Sequence, residues 1–262
     1  MTPIETRVAH TGADELRLHG YRVFEQLLGR TTAAQALILG MTGVLLDPEA
    51  IAIVDDIVTA MSSADPRLWP FKVTRVASAY GSAATGLAAT LIAGEGGMYG
   101  SNRLTACAAW LVEVAARDPL GDDELVDAIR NSDGAFGVLY RARDERLTAL
   151  SAQVVKRQRH DRPYWRLCGR AIELARTRLQ LEAHVYLALA ALCLDLGFPR
   201  DSVAGLGFVL LFHDALANAI EGASQAPEVL RELPWTQIAD HTVPRRTSPR
   251  SHIFMNEPAS VS

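Results

Sequence analysis

Residues 185–194, VYLALAALCL, contain no charged side chain, and residues 203–212, VAGLGFVLLF, match them in length and character. A run of this kind has no polar face to turn to water, so other elements must enclose it. Both runs stop early, at Asp195 and at His213-Asp214, well short of the ~20 residues a membrane-spanning helix needs. They predict two buried helices at the centre of a large core, with no membrane span. A chain of 262 residues that is 49% hydrophobic has the material to enclose them. That composition also excludes disorder. No strand-type alternation stands out, and the expected class is all-α.

Start and stop signals divide the rest of the chain into helices. Thr31 and Thr32 offer N-caps to AAQALILGMT, which Gly43 closes, and Asp47-Pro48-Glu49 opens the next helix with proline in its first turn. Residues 72–93 are rich in Ala, Ser and Gly and predict one closely packed helix ending at the breaker cluster Gly94, Gly96, Gly97 and Gly100. Helices are expected over 104–116, from Asp122 to Arg130, over 147–159 and 163–180, and over 181–196 with its stop at Gly197-Phe198-Pro199. A glycine-containing loop separates the second from the third, around 132–140. A final helix is expected from Asp201, as N-cap, to about Glu221. The tail from Pro234, with Arg245, Arg246 and Arg250 among prolines, is expected to be extended.

Charge narrows the partners. With 26 Lys and Arg against 30 Asp and Glu, the net charge of −4 argues against nucleic acid or an anionic membrane surface and for a small molecule or another protein. Cys107, Cys168 and Cys193 are widely spaced and odd in number, which suits a reducing compartment. The opening MTPIETRVAH lacks a basic-then-apolar leader, so the cytoplasm is the expected location. No phosphate loop, HExxH or GxSxG is present, and the histidines are not in metal-ligand spacing, so no metal is expected. Arg141, Arg143 and Arg146, and the tail arginines, can be read as carboxylate or phosphate clamps or equally as solvated basic surface. His184 and Tyr186 interrupt an apolar stretch, where a polar group needs a partner.

At this point the order of landmarks resembles the citrate synthase and citryl-CoA lyase superfamily. ELRLHGYRVFEQL, from Glu15, is similar to that family's LxYRGYxIxEL stretch, with His19 where arginine is usual. LGMTGVLLDPEA, from Leu39, is similar to its LLxGxLPxxEE. LAALCLDLGFP, from Leu189, resembles the helix that ends in LGxP, and VPRRTSPR, from Val243, resembles its arginine-bearing tail. The matches run in order along nearly the whole chain.

The resemblance implies an all-α, citrate synthase-like fold, with a large helical domain from residues 1–100 and 187–262, a smaller one from 101–186, and a homodimer sharing its sites. It implies enolisation of an acyl thioester with carbon–carbon bond making or breaking, in which a carboxylate takes the α-proton, imidazoles hold the oxygens and arginines hold carboxylates. Carried onto this sequence, however, the histidine of the family's HGGA becomes Glu95 and the histidine of GFGH falls on Gly137 or Val138. The aspartate of the N-x-D motif becomes Tyr186, with His184 two residues before it. The arginine of the DPR motif is kept as Arg146, and Arg245 or Arg246 is available from the tail. The final-helix arginine is lost near Leu211, with His213 and Asp214 a turn away.

Two readings stay open. In one, the site has been rebuilt, with Glu95, His184 and Tyr186 as catalytic residues and Arg146, Arg245, Arg246, His213, Asp214 and Tyr99 holding a small carboxylate or acyl thioester. No cofactor is then required, and a CoA thioester is a candidate substrate with Arg141 and Arg143 against its phosphates. In the other, the chain is an inactive homologue that binds a ligand or a partner protein.

Overall fold

A computed structural model of the chain describes residues 4–94, 100–117, 119–132, 134–137 and 143–225. Glu95, Tyr99, Arg141, Arg245 and Arg246, among the expected site residues, lie outside the described residues, as does the tail from residue 226.

The described chain opens on a small antiparallel sheet, β1 (Ala9–Thr11), β2 (Leu16–Leu18) and β3 (Tyr21–Arg22), paired in that order. This departs from the strand-free expectation. The strands are two or three residues long, too short for alternation to show, and the β2–β3 turn is His19-Gly20, both at positive φ. The His19 ring lies 3.2 Å from the carbonyl oxygen of Gly40, which docks the hairpin on the end of the first helix. A π-helical turn over Val23–Leu27 then leads into that helix.

Helix α1 (Ala33–Thr42) begins as the sequence predicts: the Thr32 hydroxyl accepts from Gln35 N–H, and the Gln35 side chain accepts from Thr32 N–H. Gly43, at φ +75°, closes it in the left-handed conformation that favours glycine. Helix α2 (Pro48–Met61) has Asp47 as its cap. The single helix expected over 72–93 is in fact two, α3 (Trp69–Tyr80) and α4 (Ala83–Ala93), because Gly81 breaks the chain and the Ser82 hydroxyl caps α4 by accepting from Thr85 N–H. α5 (Ser101–Ala115), α6 (Asp122–Arg130), α7 (Glu145–Lys156) and α8 (Pro163–Leu174) follow, the last continued by a π-helical segment to Leu179. α9 (Val185–Asp195) starts four residues later than expected, since His184 caps it. α10 (Val203–Ala223) is preceded by a 3-10 turn at Arg200–Ser202 that absorbs Asp201, the expected cap.

α9 is the centre of the molecule, with every residue from Val185 to Cys193 buried, as its uncharged sequence requires. α5 and α8 pack directly on it, and α10 lies against α5 and across the antiparallel pair α3 and α4. Taken from Arg200 to Ala223, the last helix spans 24 residues with mean hydropathy 1.7, long and apolar enough to cross a membrane by length and composition alone. Its packing on α3, α4 and α5 supplies another reason for that hydropathy, and two buried polar side chains interrupt it. Asp214 accepts from Ser63 N–H at 2.9 Å, and the Asn218 amide donates to the Ala64 carbonyl at 2.9 Å, so both hold the turn after α2.

Candidate active site

Where α5, the 134–137 segment and the start of α7 converge on the N-terminus of α9, the described residues carry their densest set of buried charges. The segment approaching α9 is paired with 134–137 through an antiparallel bridge, Phe136 with Ala183. The N–H of His184 donates to the Ala135 carbonyl at 3.1 Å, and Gly137 N–H donates to that of Glu182 at 2.7 Å. This pairing fixes the backbone of His184 before its side chain makes any contact.

His184 is 3% exposed. Its Nδ1 accepts from the N–H of Tyr186 at 3.2 Å, so the proton of the neutral ring belongs on Nε2. Burial, reinforced by the Arg103 charge and further by Arg146, pushes the imidazole down to about 3 against the opposing pull of Asp144. The ring is therefore neutral at neutral pH. Among the described residues nothing is hydrogen-bonded to Nε2, so the second ring N–H of this buried side chain is left to meet a further partner.

Asp144 supplies the anion of the cluster. Its carboxylate accepts from Arg146 Nε and Nη2, both at 2.8 Å, and from Val185 N–H at 3.1 Å. Burial raises the carboxyl, but the Arg146 hydrogen bonds and charge, with Val185 N–H and the His184 side, outweigh it and hold Asp144 below its usual range. Arg146 is thereby fixed side-on and remains partly open to solvent. Tyr186 stacks at a tilt on His184, centroids 4.6 Å apart, and its hydroxyl accepts from Gly100 N–H at 3.3 Å. Gly100, at φ +102°, packs against Gly94, where a Cβ would meet the Gly94 carbonyl oxygen at 1.8 Å. The two residues flanking 95–99 thus meet beside the Tyr186 hydroxyl.

The structure accordingly brings Arg146, His184 and Tyr186 together, and adds two members that the sequence did not single out, Asp144 and Arg103. Arg103 is 8% exposed and donates from Nε to the Gly134 carbonyl at 2.5 Å and from Nη2 to that of Gly137 at 3.1 Å. His213 and Asp214 have other partners: the His213 ring lies 3.0 Å from the Ser62 hydroxyl and 3.2 Å from Asp214, whose carboxyl burial raises against the Ser63 N–H bond. Arg143 is exposed, 3.8 Å from Glu182. A cavity of about 760 Å³, lined by α5, Leu120, α8 and the residues before α8, includes none of these side chains. No group of three or more His, Cys, Asp or Glu among the described residues is placed to hold a metal ion.

No protein-family model and no curated protein matches the chain. Solved structures match its fold. The citryl-CoA lyase of Hydrogenobacter thermophilus is 18% identical with a TM-score of 0.79, over 95% of this chain and 99% of that one. An ATP citrate lyase mutant from Methanosaeta concilii, in complex with (3S)-citryl-CoA, is 15% identical with a TM-score of 0.74, over 97% of this chain and 43% of that one. The ATP citrate lyase of Methanothrix soehngenii, in complex with citrate and coenzyme A, is 16% identical with a TM-score of 0.69, over 94% and 42%. The chain spans less than half of each ATP citrate lyase and nearly the whole of the citryl-CoA lyase. The helical fold implied by the sequence resemblance is the fold found.

Proposed function

We propose that this chain is a citrate synthase-like enzyme that acts on a small carboxylate or acyl thioester, forming or cleaving a carbon–carbon bond through an enolate, with a rebuilt site. The observation that carries the reading is the Nε2–H of the buried, neutral His184 beside Arg146, which has no hydrogen-bond partner among the described residues. A neutral imidazole donates without carrying charge, which suits an oxygen whose negative charge grows as the α-proton leaves. Arg146, braced by Asp144 and partly open to solvent, suits a substrate carboxylate as a positive charge held in a fixed place.

In this reading a base removes the α-proton, the C–H electron pair forms the enolate C=C bond, and the displaced carbonyl pair becomes the oxyanion that His184 Nε2–H meets. We assign the base to Glu95 by resemblance to the family's HGGA loop. Tyr186 holds the Gly100 end of that loop through its hydroxyl. Citryl-CoA and CoA, bound by the ATP citrate lyases of like fold, make a CoA thioester the first substrate to try.

The test is to incubate the chain with citryl-CoA, and with acetyl-CoA plus oxaloacetate, and to follow release of free thiol. Turnover that falls at least ~100-fold in both His184→Phe and Arg146→Met supports the reading, by analogy with the loss of one oxyanion donor. Undiminished turnover in the folded variants overturns the assigned roles. Saturable binding without turnover favours the non-catalytic alternative, for which Gly137 in place of a family histidine argues.

We also propose a homodimer. α4, AATGLAATLIA, has no charged residue, yet among its residues only Gly86 and Thr90 are buried and Ile92 is 77% exposed. Phe212 and Ile220 on the adjoining α10 are exposed as well. An uncharged helix left this open requires cover, and a second copy of the same face provides it.

A further inference from the structure

We propose that Arg103 is a positioning residue for His184, a buried clamp that joins α5 to the 134–137 segment and so holds the imidazole in place as a hydrogen-bond donor. The inference rests on the reading of His184 as that donor. A guanidinium presents its N–H groups in a fixed fork, and here the fork spans two carbonyls of one segment, Gly134 at 2.5 Å and Gly137 at 3.1 Å. The other side of the same segment carries the backbone of His184, through its bond to Ala135, and that of Glu182, through Gly137. Four residues are therefore held between α5 and the lead-in to α9.

The fit is close. Gly134, at φ +75°, lies so near the arginine that a Cβ there would stand 3.2 Å from Nε and 3.3 Å from Cγ. A side chain at 134 would displace the fork, and the glycine lets the guanidinium lie against bare backbone. α5 begins just after Gly100, the Tyr186 contact, so the clamp also ties the 134–137 segment to the far end of 95–99.

The clamp has an electrostatic side. Among the described residues, the charged and titratable groups that face His184 are Arg103 from α5, Asp144 and Arg146 from the start of α7, and Tyr186 from α9. Asp144 pulls the imidazole toward the charged form, but its carboxylate is taken up by Arg146 and Val185 N–H. Burial does most to keep the ring neutral, and Arg103 adds to it; that is the form that donates from Nε2 while accepting at Nδ1. A residue that only stabilised the loop would add nothing to that preference.

The experiment follows the imidazole nitrogens of His184 by NMR against pH, with amide hydrogen exchange, in the unmodified chain, Arg103→Lys and Arg103→Met. No substrate is needed, so the outcome is independent of whether any thioester is turned over. In the unmodified chain Nε2 carries the proton and the ring does not titrate between pH 8 and 5. Arg103→Lys keeps the charge and loses the fork: exchange at the His184 and Gly137 amides speeds up ~10-fold while the ring stays neutral. Arg103→Met loses both, and protonation of the His184 ring, followed below pH ~5 for as long as the fold persists, sets in at higher pH than in the unmodified chain. Unchanged amide exchange in Arg103→Lys overturns the clamp. An unchanged titration in a folded Arg103→Met overturns the control of protonation, and if that variant does not fold, Arg103→Gln carries the same comparison.

Discussion

The Nδ1 of His184 accepts the backbone N–H of Tyr186 at 3.2 Å, so one imidazole both caps α9 and has its tautomer fixed by doing so. Capping leaves the opposite nitrogen as a donor, and it is that nitrogen which lacks a partner among the described residues. Local helix chemistry and the proposed site chemistry are thus two sides of one ring. The same arrangement has consequences for stability, because the folded chain resists protonating a group that the unfolded chain protonates readily.

In the unfolded chain His184 takes a proton near pH ~6.5, whereas in the fold burial and Arg103 hold it far lower. Between those two points the unfolded state binds more protons, so stability is full above pH ~6.5 and declines as pH falls, at up to ~1.4 kcal/mol per unit from this residue. Asp144 acts in the same direction at lower pH: its depressed carboxyl contributes above the usual carboxylate range, and that contribution is lost as pH falls through its folded value. His184→Asn keeps an N-cap acceptor and removes the titration. Urea midpoints measured at pH 7 and pH 5 are expected to differ clearly in the unmodified chain and by less in the variant. An equal pH dependence in both would contradict the neutral ring.

Asp144→Asn preserves shape and removes the charge. Arg146 then faces a neutral amide, Val185 N–H loses a charged acceptor, and two cations remain around His184 without their anion. The expected cost is about 2–3 kcal/mol, the range for a partly buried pair broken on one side. Urea unfolding checks it, and Arg146→Lys is expected to lose less because one donor can still reach the carboxylate. A loss under about 0.5 kcal/mol in Asp144→Asn would place it with ordinary surface changes.

Much of this fold is legible in the sequence, and the exceptions have physical causes. α1 and α2 are marked by residues that bond within their own first turns, Thr32 with Gln35 and Asp47 with Ala50, so local reading suffices. α9 is marked by having no polar face. The α3–α4 break was hidden because Gly81 and Ser82 resemble the small residues around them, and only the cap bond from Thr85 shows that a new helix begins. In the site, His184 and Tyr186 stand out as polar residues in an apolar stretch. Arg103 does not, because an arginine on an amphipathic helix reads as solvated surface until the fold brings residue 134 against it. Asp144 is visible only as part of a motif, and its bond to Val185 spans forty-one residues of sequence.

The homodimer proposal places the exposed faces of α4 and α10 in the contact. Ile92→Glu and Ile220→Glu each put a charge in place of a large apolar side chain that is, in the monomer, open to water, at 77% and 60% exposure. Neither substitution disturbs a side chain buried within one copy, so the fold is expected to survive. Sedimentation is expected to show a dimer for the unmodified chain and a monomer for the double variant, with the circular dichroism unchanged, since a charge buried without a partner costs several kcal/mol at an interface. A double variant that remains dimeric would put the contact elsewhere.

α3 and α4 approach so closely at Gly86 that a Cβ there would stand 2.6 Å from the Thr74 carbonyl oxygen and 1.8 Å from the Ser78 hydroxyl. Two effects oppose each other in Gly86→Ala. Alanine favours a helix over glycine by about 1 kcal/mol. Against that, Ser78 can rotate away but the carbonyl of Thr74 is backbone within α3, so the helices must separate, and overpacking of this kind costs about 1–3 kcal/mol. Separation also strains the buried hydroxyl pair of Thr74 and Thr90, which sits at the same crossing. Crowding is therefore expected to win, with a net loss of stability in thermal or urea unfolding and a weakened dimer, because α4 carries part of the proposed contact. A Gly86→Ala chain that is more stable than the original would mean that the two helices can part without cost, and that the small residues of α4 serve something other than close packing.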